Sequence, residues 1–427
     1  MKNNNKGFVL ILSYSVIAVL LVIVAAYTAR SIAEWRAAER ERNSIAAFYA
    51  AEAGVDYGLT WLRAQNSPPS GTANISLSSG PTLKTGSYTV VIDPDNANPT
   101  AYLKKYMVIS TGTFNDSSRR VSYQVQVDSF ARYIWLTDLE VFKQTGHNIP
   151  VYFTSGDTLT GPVHTNGSYN ISGNPVFNDL ASSSENFVNY LHGGPPTDNP
   201  TFAQGLQLGV EEIKMPSKAL DLRTAAVQGG YHFEGPTTIV LNSNGTMTVT
   251  NSKLNPTTSI MALPSNGAIF VTGARAGENL SISGTLKGQL SVGTNRDMVI
   301  TGDVKYSDDP RINPNSTDML GLIAEKDMVI SQNASPAGGN LTIQASIMAM
   351  DDSFYLENWQ SGLKGTLNVY GGIIQDSRGP IGTFNSSTNQ KVSGYTKNYV
   401  YDPRLKTSPP PFYPTTGDYV GLSWREQ

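Results

Sequence analysis

The sequence predicts an α+β chain that is mainly β. It opens with one long helix whose first half is long enough to cross a membrane. A small antiparallel sheet follows, and then a large domain expected to be a β-solenoid, with a β-sandwich as the alternative. Three observations predict this. Residues 8–29 contain no charged side chain, no proline interrupts the chain between there and Pro68, and beyond residue 130 short apolar stretches recur about every ten residues between Gly, Asn and Asp.

Composition narrows the function classes. Of the 427 residues, 39% are hydrophobic and only 15% charged, against about 25% charged in an average soluble domain. Aromatic residues are plentiful (21 Tyr, 14 Phe, 5 Trp), so cores can form. A net charge of −3 gives no basic excess for neutralising phosphates, and no nucleic-acid partner is expected. The absence of Cys excludes disulfides, thiolate metal sites and Cys nucleophiles. The four His (His147, His164, His192, His232) are scattered, leaving little for His-based catalysis.

The elements follow in order. Residues 1–7 form a polar leader carrying Lys2 and Lys6 and ending in Gly7. Phe8 to Ala29 would span about 33 Å as a helix, enough for a bilayer core. A cleaved signal peptide has an apolar core of about 7–15 residues, shorter than this run. Lys2 and Lys6 precede the span, and the Arg residues after it are mixed with Glu34, Glu39 and Glu41, so the N-terminus is expected inside. Helix formers continue to Gln65, giving a rod of about 87 Å from Phe8. Ile45, Phe48, Val55, Leu59 and Leu62 step at the helical period, with Glu52 beside that stripe. A carboxylate there needs a cationic or hydrogen-bonding partner. Arg119, Arg120 or a neighbouring subunit could supply it, and solvent is the alternative.

The short basic leader ending in Gly7, the aromatic Phe8, the apolar span and the block Ala47-Phe48-Tyr49-Ala50-Ala51-Glu52-Ala53-Gly54 together resemble the type IV pilin-like proteins, above all the PilX-like minor pilins. The resemblance covers residues 1 to about 65. It implies cleavage by a prepilin peptidase after Gly7 and methylation of the exposed Phe8. It further implies an inner-membrane single pass before assembly, with the body periplasmic or extracellular, and a cell-surface filament afterwards. Members of that family that build fibres carry a Glu five residues into the mature chain, where this chain has Leu12. The resemblance then implies a place at the filament tip, where no subunit lies above.

Between Pro68-Pro69 and residue 130, three alternating segments predict strands over 86–92, 106–114 and 120–127, with a turn at 115–118. Asp93, Asp95, Asn96 and Asn98 make an oxygen-rich loop, read as a solvated turn rather than a calcium site. Beyond residue 130, Asp297-Met298-Val299-Ile300 returns as Asp327-Met328-Val329-Ile330 thirty residues later, and this repeat favours stacked coils. Earlier pieces from Leu159 to Thr250 would be irregular first coils. The Pro409–Pro414 run and the Tyr419–Trp424 stretch would cover a coil edge. Gly161–Gly167, Tyr401–Arg404 and Ser423–Arg425 resemble a domain of unknown function found beside PilX-like N-termini.

Catalytic motifs are weak. His192-Gly193-Gly194 lacks an accompanying Gly-x-Ser-x-Gly elbow. Asp308-Asp309 and Asp351-Asp352 could form a carboxylate site of a membrane-anchored β-helix enzyme acting on extracellular polysaccharide, the alternative reading. The expectation is no enzyme, no cofactor and no metal. The domains are a leader (1–7), a long helix (8–66), a small sheet domain (67–130) and a β-rich domain (131–427). The function expected is that of a minor pilin-like structural subunit of a type IV pilus or a type II secretion-like filament, at the tip, in assembly priming or surface adhesion. Its partners would be other pilin-like subunits, the prepilin peptidase and the inner membrane, with any surface ligand unknown. Gly7 and Phe8 serve processing, and Leu12, Phe48, Glu52, Val55 and Leu59 serve filament or head packing.

Overall fold

The computed structural model describes residues 5–65, 68–69, 71, 73–77, 86–95, 103–144, 147–388 and 390–426. The start of the expected leader, residues 1–4, lies outside the described residues. So do Asn96 and Asn98 of the oxygen-rich loop. The chain forms two compact units: residues 1–127 with 419–427, and residues 128–418.

In the first unit one α-helix runs unbroken over Asn5–Arg63, about 88 Å. Its C-terminal part packs on a five-stranded antiparallel sheet. The strands lie in the order Ile75–Leu77, Ser87–Pro94, Lys105–Phe114, Ser117–Ser129 and Thr415–Glu426. Ile92, Tyr106, Val108, Val121 and Val125 alternate inward from it to make the core. The turn expected at 115–118 is a tight two-residue hairpin. Phe114 pairs with Ser117, and Asn115 takes a positive φ of 49°, a conformation Asn tolerates.

The fifth strand corrects the expectation for Tyr419–Trp424. This stretch does not cover a coil edge; it pairs on the Ser117–Ser129 strand. There Tyr419 packs edge-on to Tyr106 (5.9 Å between ring centres) and Trp424 to Phe48 (6.2 Å). The physical reason is an open sheet edge whose backbone groups need a partner.

The second unit contains one large mixed sheet of 22 strands, paired mainly in parallel, and a short helix at Leu220–Gly229. Its principal ladder runs rung to rung with side chains in register. Ile269, Val292, Leu322, Ile347 and Ile373 stack in one buried column. That column continues into Trp135, Val163 and Ala181. Thus strands early in the unit's sequence stack beyond the late ones, and the two runs meet where Ile373 pairs with Trp135. The pieces from Leu159 to Ser172 are therefore not first coils in space. Thr237–Asn242, Thr246–Asn251 and Thr258–Ala262 instead form an antiparallel meander whose first strand pairs in parallel with Leu280–Leu286.

The sequence repeat is physical: Met298, Val299 and Ile300 lie directly against Met328, Val329 and Ile330. Identical residues stack well because each rung offers its neighbour the same shape. On the outer face of the ladder, Phe270, Ile323, Met348 and Ile374 are covered by the Leu220–Gly229 helix and by Leu405 and Tyr413. The proline run thus lies over a sheet face. A Cβ on Gly267 would sit 2.9 Å from Pro411, and one on Gly321 3.0 Å from Pro410.

Candidate functional site

From Phe8 to Ala29 the helix is bare. An 18-residue window of it has a mean hydropathy of 3.0, and none of that window is buried. Phe8 is 71% exposed and Leu12 54%. Its serine and threonine hydroxyls are satisfied inside the helix, while those of Tyr14 and Tyr27 stand exposed. Ser13 donates to the Val9 carbonyl (2.8 Å), Ser15 to Ile11 (3.0 Å) and Thr28 to Val24 (3.0 Å). With the backbone paired as well, the segment can enter apolar surroundings leaving only the two tyrosine hydroxyls to find a partner outside the helix. The first carboxylate is Glu34, ion-paired to Arg30 at 2.8 Å.

Further along, the helix meets the sheet through small residues. Ala47, Ala50 and Ala51 have no exposure, and Gly54 and Gly58 continue the same face. A Cβ on Gly112 would lie 2.9 Å from Ala50 C and closer still to Ala47 O and Ala51 N. A Cβ on Gly58 would lie 2.7 Å from Val108. The Lys105–Phe114 strand thus passes almost against the helix backbone. The expected large-residue stripe is only half right. Val55 and Leu62 are buried and Phe48 and Leu59 half-buried, but Ile45 is 48% exposed. The signal for the true face was the spacing of small residues at 47, 50, 51, 54 and 58, because contact this close admits nothing larger.

Glu52 is half-buried, and among the described residues it makes no ion pair. Neither arginine expected beside it serves. Arg119 donates to Ser44 Oγ (2.7 Å) and pairs with Glu426 (3.6 Å), while Arg120 is exposed. In the same core Tyr106 donates to the Pro69 carbonyl at 2.6 Å, and burial, with Tyr419 beside it, pushes its phenol up.

In the large unit the charged side chains fall into separate clusters. Asp309 is gripped by Arg311 (2.5 Å) and Gln344 (2.8 Å), and the Arg311 hydrogen bonds hold its carboxyl down at about 2. Asp351 pairs with Lys326, whereas Asp352 is pushed up by burial, with Lys143 and Asp376 nearby. Asp327 is pushed up to about 7 by burial, with the charges of Asp352 and Asp297 adding to it. His164 is buried on a ladder rung between Ser182 Oγ and Asn166 Oδ1, each at 2.9 Å, and burial lowers it. His192 bonds Asp198 at 2.9 Å, which raises it. Among the described residues no group of three or more His, Asp or Glu is placed to hold a metal.

Where the two runs of strands meet lies a fully buried pair. Arg378 Nη1 donates to Glu140 Oε2 at 2.8 Å, and the guanidinium stacks 3.7 Å from the Phe153 ring centre. Glu140 also accepts from Trp135 Nε1 (3.2 Å) and from Thr137 Oγ1. Nothing local in the sequence marks this pair, whose members are 238 residues apart.

Residues 101–185 match the family model of a domain of unknown function, DUF4900. The match includes Gly161–Gly167 but not the segments near residues 401–425. No curated protein matches the sequence. The competence-associated pilin ComZ from Thermus thermophilus is similar in structure over 90% of this chain and 97% of its own, with 14% identity and a TM-score of 0.40. A score that low carries no argument about this chain.

Proposed function

We propose that this chain is a minor subunit of a type IV pilin-like filament. One observation carries the reading: a single helix whose C-terminal part is buried on a sheet while its segment from Phe8 to Ala29 is uncharged, strongly hydrophobic and bare. Such a surface needs a bilayer or the cores of similar helices. In this reading a prepilin peptidase removes residues 1–7 behind Gly7 and Phe8 becomes the methylated N-terminus. The bare half-helix then rests in the inner membrane until it docks among other pilin-like subunits. Leu12 supplies no carboxylate to neutralise the terminal amine of a neighbour, and a buried unpaired ammonium is costly. That favours the tip, in assembly priming or surface adhesion.

The large unit is then the displayed body. The in-register parallel ladders support reading it as a β-solenoid, in which each rung completes its neighbour's hydrogen bonds. The body carries no bond-making chemistry in this proposal, and the domains are the leader, the helix to residue 66, the small sheet and the β-rich body.

Cysteine cross-linking tests the docking. The chain has no native Cys, so Leu12→Cys gives one reactive site. Cross-links to other filament subunits from this position, and none from a cysteine replacing the exposed Ile312 in the body, are expected. A Leu12→Cys chain that cross-links only to unrelated membrane proteins would contradict the proposal.

A further inference from the structure

The junction of the two strand runs holds a cavity of about 380 Å³ within the large unit. That size falls within the range of small-ligand sites, roughly 300–1,000 Å³. The cavity is framed by segments 149–157, 378–384 and 391–399, and Trp135 stands at its wall. Here the ladder passes between strands far apart in sequence.

Three features of the lining bear on what it could hold. First, aromatic rings stand partly open around it. Phe142 and Trp359 pack edge-on at 6.3 Å, and Tyr152 and Phe384 at 6.5 Å. A second hollow shares Phe142 and Trp359, so this pair has open space on both sides. Second, the lining carries three cations against one carboxylate: Arg378, Lys391 and Lys397 against Asp157. Arg378 is matched by Glu140 behind it, and Lys397 by Asp157 at 2.6 Å. Lys391 is different. Its ammonium donates to the Lys364 carbonyl (2.8 Å) and to Thr396 Oγ1 (3.0 Å), and among the described residues it meets no carboxylate. Third, hydroxyl side chains stand among the rings: Thr154, Ser155 and Thr396, besides Thr383 and Ser393, which bond each other at 2.6 Å.

We propose that this cavity binds a small acidic saccharide, one or two sugar rings bearing a carboxylate. The apolar C–H face of a sugar ring stacks on open aromatic rings, and its equatorial hydroxyls need short hydroxyl and backbone partners. The carboxylate supplies the missing counter-charge to Lys391, a charge-assisted contact of the stronger kind. A plain aromatic acid would use the rings and the lysine but leave the hydroxyls idle. A neutral sugar would leave the lysine unmatched. The inference is independent of the filament reading, because every group it uses belongs to the large unit.

The test uses the full chain in a detergent without a sugar headgroup and follows tryptophan fluorescence and melting temperature. Digalacturonate should bind saturably and raise the melting temperature. Cellobiose and benzoate should each bind at least about tenfold more weakly, the worth of one matched charge or one set of hydroxyl contacts. Lys391→Gln, at an exposed position, should leave the free chain folded and abolish the preference for digalacturonate over cellobiose. Trp359→Ala should weaken both sugars. Absence of saturable digalacturonate binding, equal affinity for cellobiose, or benzoate bound as tightly would each overturn the proposal. So would a Lys391→Gln chain that keeps the acidic preference. Since the wild-type selectivity alone decides, a variant that failed to fold would not rescue it.

Discussion

Gly112→Ala probes the contact that fixes the helix to its sheet. In the absence of that contact the substitution should stabilise a strand, since Gly costs about 0.5–1 kcal/mol relative to Ala in regular structure. The structure predicts the opposite sign. The added Cβ would stand 2.9 Å from Ala50 C and nearer to Ala47 O and Ala51 N, all of them backbone that cannot rotate aside. Carbon contacts settle at about 3.5–4 Å, so helix and strand must separate by on the order of 1 Å. A gap of that size forfeits about a quarter to a half of each dispersion contact along the seam. Those contacts join Ala51, Val55 and Leu62 to Tyr88, Val90 and Val108. Overpacking of this kind costs about 1–3 kcal/mol, and more where the obstacle is rigid, so a loss of about 2–4 kcal/mol is expected. Hydrogen exchange over residues 45–62 reads it directly, because opening this seam exposes those amides before the large unit unfolds. Gly54→Ala provides contrast. Its new Cβ meets side chains rather than backbone: the Ser110 hydroxyl, which can turn away, the Tyr88 ring at 3.0 Å and Ser110 Cβ at 3.1 Å. These give by a few tenths of an ångström and Ala is the better helix residue, so a smaller loss than in Gly112→Ala is expected. Unchanged protection in Gly112→Ala, or a larger loss in Gly54→Ala, would refute the reasoning.

Three further outcomes follow from the same structure. Arg378→Met leaves Glu140 buried and charged and should cost about 3–5 kcal/mol in urea unfolding; adding Glu140→Leu should recover most of that loss. Asp327 has a folded pKa of about 7, raised above its unfolded value of 3.8, so folding holds a proton that the unfolded chain releases. Stability should therefore fall as pH rises from about 4 to 7 and then level, and Asp327→Asn should be more stable by about 2–4 kcal/mol at pH 8 while matching the wild type near pH 4 in paired melts. Glu52→Gln should change the stability of the isolated chain by less than about 0.5 kcal/mol, since no partner within the described chain is lost, yet reduce recovery in sheared filaments.

Much of the architecture was legible in local patterns. The uncharged run from Phe8 and the absence of proline to Pro68 specify the helix. Period-two alternation specifies the three central strands of the small sheet, and the Asp-Met-Val-Ile repeat marks rungs that do stack in register. What escaped were pairings between distant segments. Tyr419–Trp424 alternates like any half-buried strand, and nothing local says which open edge it will join. The early strands Trp135–Leu139 and Thr158–Thr160 look like a beginning, yet they continue a stack that ends at Leu363–Ser377 and Lys391–Tyr401. The cavity and the Arg378–Glu140 pair exist only because of that closure. Ile45 misled because the period was right but the face was wrong: the buried side of the helix is marked by Ala and Gly, which hydrophobicity alone does not rank.

The central claim is that the bare half-helix is a trimmed, membrane-derived filament rod. Intact-mass and N-terminal peptide mass spectrometry of the chain recovered from sheared surface filaments tests it most directly. The account predicts a first residue of Phe8 carrying one added methyl group. A chain still beginning at Met1, found only in the membrane fraction and never with filament subunits, would contradict it.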